Sequence, residues 1–474
     1  MARITRRGFL AGSAAAATGA VLAGPFEGFV AHAQRGGGRD VGYGPLVPVR
    51  DDRDGEVRLE LPEGFSYRSF HPTGTTLADG TVLPGRHDGM AAFRGSTPGS
   101  SLIVRNHEIN NPGPTLRAGG PTYDPMTQGG TVTVEVDALG RVVPGSDYVS
   151  LSGTQMNCAG GPTGWGTWLS CEETVNGDDV GPDFTGAPNT GLKRHGYVFE
   201  VPTDGVSPAV PIRAAGRFPH EAAAATPSGD AVYLTEDNFA FPSGFYRYLP
   251  PVPARGRRAL ADGGALQMLK VVGVDGADLS VGQAPGATYD VEWVDIADPD
   301  PTFAPGTTND QAITAVGDQG RALGAATFSR LEGAYHAHGT VFFVSTQGGA
   351  TADAAPFGFG DGRGQVWAYE PGRGRLRLVY ESPAAATLDL PDNVVVSRRG
   401  SLVLCEDGSG DNFLRGLTRD GRLFDLARNA DPTQVGQEFA GATFSHDGDT
   451  LFANVQSSSG YSVAIRGPWQ RGPL

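Results

Sequence analysis

The sequence predicts an all-β fold: a six-bladed β-propeller with inserted loops and short helices. Three observations predict it. The chain of 474 residues holds 71 glycines and 35 prolines, too many for a helical protein because both weaken helix interiors. These residues are mixed with Val, Leu, Phe and Trp, unlike a collagen-like or disordered chain. Six segments also look alike: Gly99–Glu108, Gly166–Glu173, Gly229–Asn238, Gly339–Gly348, Gly400–Gly408 and Gly448–Ser457. Each begins at a glycine turn, continues through four or five mainly apolar residues and, in most, ends in polar groups, as a buried strand leaving a tight turn does. Finally, a polar residue followed by small residues precedes nearly every turn, starting at Asp88, Cys158, Glu221, Glu332 and Asp392 and, off register, at Glu438. Small residues suit strands that crowd together, as the innermost strands of propeller blades do around a central channel.

Taken along the chain, residues 1–33 read as an address. Arg6-Arg7 precedes Phe9-Leu10, a weakly apolar Ala/Gly stretch follows, and Ala31-His32-Ala33 forms a small-x-small cleavage pattern. This is the form of a twin-arginine export signal, which makes the translocation machinery a partner and the periplasm or the exterior the destination. Residues 34–64 form an N-terminal arm, and 65–474 form a single propeller domain. The unequal spacing of the repeats, widest between Gly229 and Gly339, is assigned to loops and outer strands inserted between blades.

Composition narrows the partners. The formal charge of −15 argues against nucleic acid, which demands clustered Lys and Arg. Removing residues 1–33 takes away three arginines and one glutamate and leaves −17. No later stretch of about 20 apolar residues predicts a stable membrane insertion after cleavage. Cys158, Cys171 and Cys405 are the three cysteines, so one thiol is always left over in an oxidising compartment, explained by burial or by metal ligation.

In a propeller, the starts of the first strands and the ends of the second strands face the same mouth. Asp88, Cys158, Glu221, Glu332 and Asp392 would therefore meet Glu108, Glu172, Glu173, Glu236, Asp237, Glu406 and Asp407. Any one of these acids, alone, is best read as a solvated loop end. Gathered together they repel strongly, and bound cations relieve that repulsion best. Carboxylates suit calcium, and the thiolate of Cys158 adds a softer ligand that points to a transition metal such as iron. His336 and His338 form a His-x-His on one strand, more in keeping with surface than with ligation. The glycine-rich run 357–362 looks like a loop over the mouth. No serine-nucleophile elbow or paired-histidine zinc motif occurs.

The runs Asn106–Glu108, Asn157–Glu173 with its Cys158, Trp165, Trp168 and Cys171, Arg217–Glu221, Arg330–Gly333, Pro391–Asn393 and Cys405–Asp407 resemble the PhoX-type alkaline phosphatases. The resemblance spans about Phe65 to Glu438. It implies a monomeric, calcium- and iron-dependent hydrolase of small phosphate monoesters. By motif it implies Cys158 as an iron ligand, Glu221 and Glu332 as cluster ligands, and Asp392 and Glu406 as late acidic ligands. Glu108 and one of Glu172 or Glu173 would lie on the calcium side, and Arg330 would contact phosphate, acting with Glu332 in catalysis. The chain departs from the pattern at Gly164, where a proline is expected before Trp165. Two alternatives remain open at this level: another metal-dependent propeller hydrolase, such as a lactonase or phosphotriesterase, and a non-catalytic exported calcium-binding propeller.

Overall fold

Each of the six glycine turns closes an antiparallel hairpin. In the computed structural model, which describes residues 41–474 except 111, 118, 255–258, 352 and 354–357, the hairpins pair His87–Arg94 with Ser101–His107, Asn157–Pro162 with Thr167–Glu172, His220–Ala225 with Val232–Glu236, Leu331–Ala337 with Thr340–Ser345, Pro391–Val396 with Leu402–Glu406, and Phe439–Phe444 with Thr450–Val455. The turn glycines Gly99, Gly166, Gly229, Gly339, Gly400 and Gly448 all have φ between 67° and 85°, a region that only glycine adopts at no steric cost. The predicted export signal at 1–33 and the start of the arm lie outside the described residues.

The chain is all-β with few helices, in a propeller-like arrangement. The first strands of the hairpins lie side by side in chain order, and the sixth returns to the first. They pack so closely that a Cβ on Gly89 would sit 2.5 Å from Ala159 Cα, on Gly333 2.7 Å from Asn393 Cα, and on Gly161 1.5 Å from the Ala223 carbonyl oxygen. The small residues seen in the sequence are thus the steric condition for convergence. They leave an axial channel of about 30 Å³ lined by Ala159, Ala222, Ala334, Val394 and Ala442.

Six separate sheets were expected, and the structure differs. Thr288–Asp295 pairs on one edge with Ala265–Val271 and on the other with Arg375–Glu381. The third and fourth hairpins therefore share one nine-stranded sheet. The long insertion between Gly229 and Gly339 supplied an extra strand whose two edges both found partners. The remaining hairpins each carry their own sheet, of four strands for the first, second and sixth and six for the fifth. Two of these are completed from the chain's other end. Ser66–Phe70 adds the outer strand of the sixth hairpin's sheet, while Leu46–Arg50 and Val57–Pro62 extend the fifth hairpin's sheet.

The apolar core lies in the seams between sheets. Leu59, Val403, Leu414 and Leu426 of the fifth sheet interlock with Tyr67, Leu451 and Val463 of the sixth. Strands in such sheets are covered on both faces, which is why they read as nearly continuous apolar runs. The α-helix Asn309–Ala322 starts at a capping box in which the Thr308 side chain accepts from the Gln311 amide and the Gln311 side chain accepts from the Thr308 amide.

Candidate metal centre

Every first strand carries a register shift near its start, between His87 and Met90, Asn157 and Gly160, His220 and Ala223, Leu331 and Ala334, Pro391 and Val394, and Ala440 and Thr443. Such bulges re-aim a side chain next to functional sites. Arg86, Met156, Arg330 and Leu390, which directly precede four of these strands, sit at φ between 42° and 55°, a conformation that non-glycine residues adopt only when the surroundings enforce it. Their carbonyls accept from the amides of Glu108, Glu173, Thr346 and Asp407, and those of Pro219 and Glu438 accept from Asp237 and Gln456. Kink and bulge together place the first-strand acids and the residue just past each second strand at one end of the channel.

Six side chains converge there. The ligating atoms of Cys158, Glu173 and Glu221 lie within 4.8 Å of one another, as do those of Glu173, Asp237 and Glu332, and those of Glu221, Glu332 and Asp392. The three triads share residues and form one continuous cluster drawn from four hairpins. Asp88, Glu108, Asp407 and Glu438 surround it. Burial first, and then the charges of their neighbours, push the carboxyls of Asp88, Glu173, Glu221, Glu332, Asp392 and Glu438 well above the usual range. Burial raises Glu108 to about 7, against the pull of Arg86. Burial and the nearby carboxylates raise the Cys158 thiol as well. Among the described residues, the Cys158 thiol points to the carbonyl of His220 at 3.2 Å.

One cation is embedded in the cluster. Arg330 donates from Nε to both oxygens of Asp237 at 3.2 Å, and from Nη2 to Asp237 Oδ2 and Glu332 Oε1 at 2.8 Å each. The Phe239 ring covers its guanidinium at 5.1 Å. Its Nη1 makes no hydrogen bond among the described residues. The glycine-rich loop lies beside this group, with the Phe359 amide donating to the Phe239 carbonyl at 2.7 Å and the Ser329 hydroxyl donating to the Phe359 carbonyl; Phe357 is outside the described residues.

The structure thus brings together Cys158, Glu173, Glu221, Glu332, Asp392 and Arg330, with Glu108 beside them, held by Gln456 Nε2 at 2.9 Å. Two expected ligands turn away. Glu172 faces the wall, where its carboxylate accepts from the amides of Gln155, Gly196 and Tyr197 and contacts His195 Nδ1 at 2.6 Å. Glu406 accepts from Arg415 Nε at 2.8 Å and from the amides of Asp389 and Phe413. Glu236 behaves in the same way, accepting from the Gly244 amide and the Tyr246 hydroxyl at 2.8 Å each. In the pairs Glu172-Glu173, Glu236-Asp237 and Glu406-Asp407, the strand's last residue anchors the wall and the next one faces the axis.

Asp237 is one of the seven second-strand ends named from the sequence, where no ligand role is assigned to it. Its signal is its place directly after Glu236, the same place that Glu173 holds after Glu172. The three cysteines are free and buried. His107 and His220, adjacent to the cluster in sequence, are buried and contact the carbonyls of Gly85 and Gly216; burial pushes His220 down to about 3. His336 lines a cavity with Pro227 and Thr163 near the hairpin turns, toward the other end of the strand from Glu332.

A family model described as alkaline phosphatase PhoX matches residues 41–143 and 137–459. Among solved structures, PhoX of Pseudomonas fluorescens in complex with vanadate, a transition state analogue, is similar over 92% of this chain and 99% of its own, with TM-score 0.63 and 17% identity. A gluconolactonase of Xanthomonas campestris is similar over 90% of this chain and 99% of its own, with TM-score 0.38 and 13% identity. Virginiamycin B lyase of Staphylococcus aureus is similar over 85% and 99%, with TM-score 0.37 and 10% identity. No curated protein matches.

Proposed function

Because the chain belongs to the alkaline phosphatase PhoX family, it is a metal-dependent phosphatase, and we propose that it hydrolyses small phosphate monoesters at the acid cluster on the channel axis. The observation that carries this reading is the interlocked set of Cys158, Glu173, Glu221, Asp237, Glu332 and Asp392, each within 4.8 Å of its triad partners.

The donor set fits both metals of the proposal. A buried concentration of carboxyls, with Arg330 the one guanidinium among the described residues that is hydrogen-bonded to the cluster, demands further positive charge or bound protons. The triad Cys158–Glu173–Glu221 contains the only thiol of the set and suits ferric iron. The all-oxygen triads Glu173–Asp237–Glu332 and Glu221–Glu332–Asp392 suit calcium. Held there, such ions would neutralise phosphoryl charge and polarise the phosphorus–oxygen bonds.

The residues of the chain do the rest. The protein repels a phosphate dianion at long range, so attraction must be local. Arg330 is fixed by Asp237 and Glu332, so its planar fork is oriented before substrate arrives, and Nη1 is left to donate to a phosphoryl oxygen. Glu332, bonded to Arg330, keeps that fork beside the cluster. Glu172, Glu236 and Glu406 act as wall anchors that hold the neighbouring axial residues. Two finer readings belong with this proposal. The six hairpins count as six blades, with the third and fourth fused along an edge strand. The chain is exported by the twin-arginine route, and works as a monomer in the periplasm or outside the cell.

The test is elemental analysis of the natively exported protein together with turnover of p-nitrophenyl phosphate before and after chelation. Calcium and iron with chelator-sensitive turnover support the proposal. Calcium alone without turnover favours a binding propeller, and lactone hydrolysis without phosphate release favours another hydrolase.

A further inference from the structure

The bulges that aim the cluster side chains leave backbone groups without ladder partners, and the side chains that satisfy them cross the seams between hairpins. Asn106 of the first hairpin donates both amide hydrogens, to the carbonyls of Cys158 at 2.9 Å and Ala159 at 2.7 Å in the second. Its own oxygen accepts from Trp168 Nε1 and Ser170 Oγ at 2.9 Å each, so the carboxamide is held from both sides. Thr235 of the third hairpin accepts from the Ala222 amide at 2.8 Å within its own bulge and donates to the Glu332 carbonyl at 2.6 Å in the fourth. Thr346, just past the fourth hairpin, donates to the Pro391 carbonyl at 2.6 Å in the fifth. Asn454 of the sixth donates to the Asp88 carbonyl at 2.6 Å in the first, and its oxygen accepts from Ser462 Oγ, which in turn accepts from the buried Arg105 at 2.7 Å. The two remaining seams are also bridged, by Cys158 Sγ to the His220 carbonyl and by the Gly441 amide to Asn393 Oδ1.

We propose that Asn106, Thr235, Thr346 and Asn454 are positioning residues for the metal centre: each fixes, from one hairpin, the backbone carbonyl of or next to a residue of the cluster, or of the acids that surround it, on the following hairpin. None of the four touches substrate. They act through Cys158, Glu332, Asp392 and Asp88, and the ring of seam bonds makes the spacing of the ligand set a property of neighbouring hairpins. All four lie inside the wall: Asn106, Thr235, Thr346 and Asn454 are fully buried. A buried carbonyl deprived of its donor keeps its desolvation penalty, so its loop shifts to find another partner and the attached ligand shifts with it.

This inference rests on the proposed metal centre, and the experiment separates the two. Thr235→Val and Thr346→Val keep shape and remove the hydroxyl; Thr235→Ser and Thr346→Ser restore it. Two quantities are read: amide hydrogen exchange at residues 222, 332 and 392 in chelator-treated protein, and retention of calcium and iron against a graded chelator series in loaded protein. The valine variants should exchange roughly tenfold faster at the clamped segment of the next hairpin, release metal at roughly tenfold lower chelator, and return to wild-type behaviour with serine. Wild-type exchange and retention in both valine variants overturn the inference, as does loss that serine fails to rescue. If the wild-type protein itself binds no metal, the proposed function fails, and the exchange measurement alone still decides whether the clamps hold.

Discussion

Asp237→Asn removes one negative charge where the metal centre and the substrate-facing arginine meet, and leaves the side chain's shape intact. In the structure both oxygens of Asp237 accept from Arg330, at 2.8 to 3.2 Å, and one of them belongs to the triad with Glu173 and Glu332. The amide cannot accept at both positions, so the fork of Arg330 loses one arm of its support and one triad loses an anionic donor. Breaking one partner of a buried ion pair costs about 3–5 kcal/mol. Arg330 keeps its 2.8 Å bond to Glu332, which places the loss at the lower end, about 3 kcal/mol. That is a loss of fold stability; misplacing a group that positions the substrate separately costs on the order of a hundredfold in rate, so kcat/KM should fall roughly a hundredfold. The assay is steady-state hydrolysis of p-nitrophenyl phosphate, with bound calcium and iron measured on the same preparation and circular dichroism checking the fold. A variant within threefold of wild type in kcat/KM, with unchanged metal content, would refute the assignment of Asp237 to the site.

Two further outcomes are expected. Cys158→Ala should lose bound iron and activity together, because among the described residues Cys158 is the thiol grouped with Glu173 and Glu221, whereas Cys171→Ala, in the apolar seam with Leu169 and Val198, should cost about 1 kcal/mol of stability and keep both; iron retained in the first variant contradicts the donor assignment. For His195, burial lowers its basicity, but the charges and hydrogen bonds of Glu172 and Asp124 prevail and raise it to about 9. A raised histidine stabilises the fold fully below its unfolded value near 6.5 and loses that contribution as pH rises through about 9. The melting-temperature gap between wild type and His195→Gln should therefore be widest near pH 6 and shrink by pH 9.5, and a gap independent of pH would show that the imidazole is not held as a cation.

The hairpin repeat was legible in residues because its requirements are local. A tight turn at positive φ selects glycine at Gly99, Gly166, Gly229, Gly339, Gly400 and Gly448, and close approach at the axis selects Gly89, Gly161 and Gly333. The six donors of the cluster were legible as a set for the same reason: each lies seven or eight residues from one of those turns. Which member of each acidic pair serves the site was not legible. Both faces of these strands are buried, so hydrophobic alternation does not tell the wall from the axis, and Glu172 and Glu406 look as suitable as Glu173 and Asp407 until the strand end is placed in space. The kinks at Arg86, Met156, Arg330 and Leu390 have no residue signature at all, since four unrelated side chains share one backbone conformation imposed from outside.

Local chemistry by itself determined the strands, the turns and the inventory of candidate donors. Tertiary structure decided which of those donors meet, that the third and fourth hairpins merge through Thr288–Asp295, and that Ser66–Phe70 completes the last sheet. Those outcomes depend on backbone hydrogen bonds between segments far apart in the chain, and a ladder of amides and carbonyls is the same whatever side chains it carries.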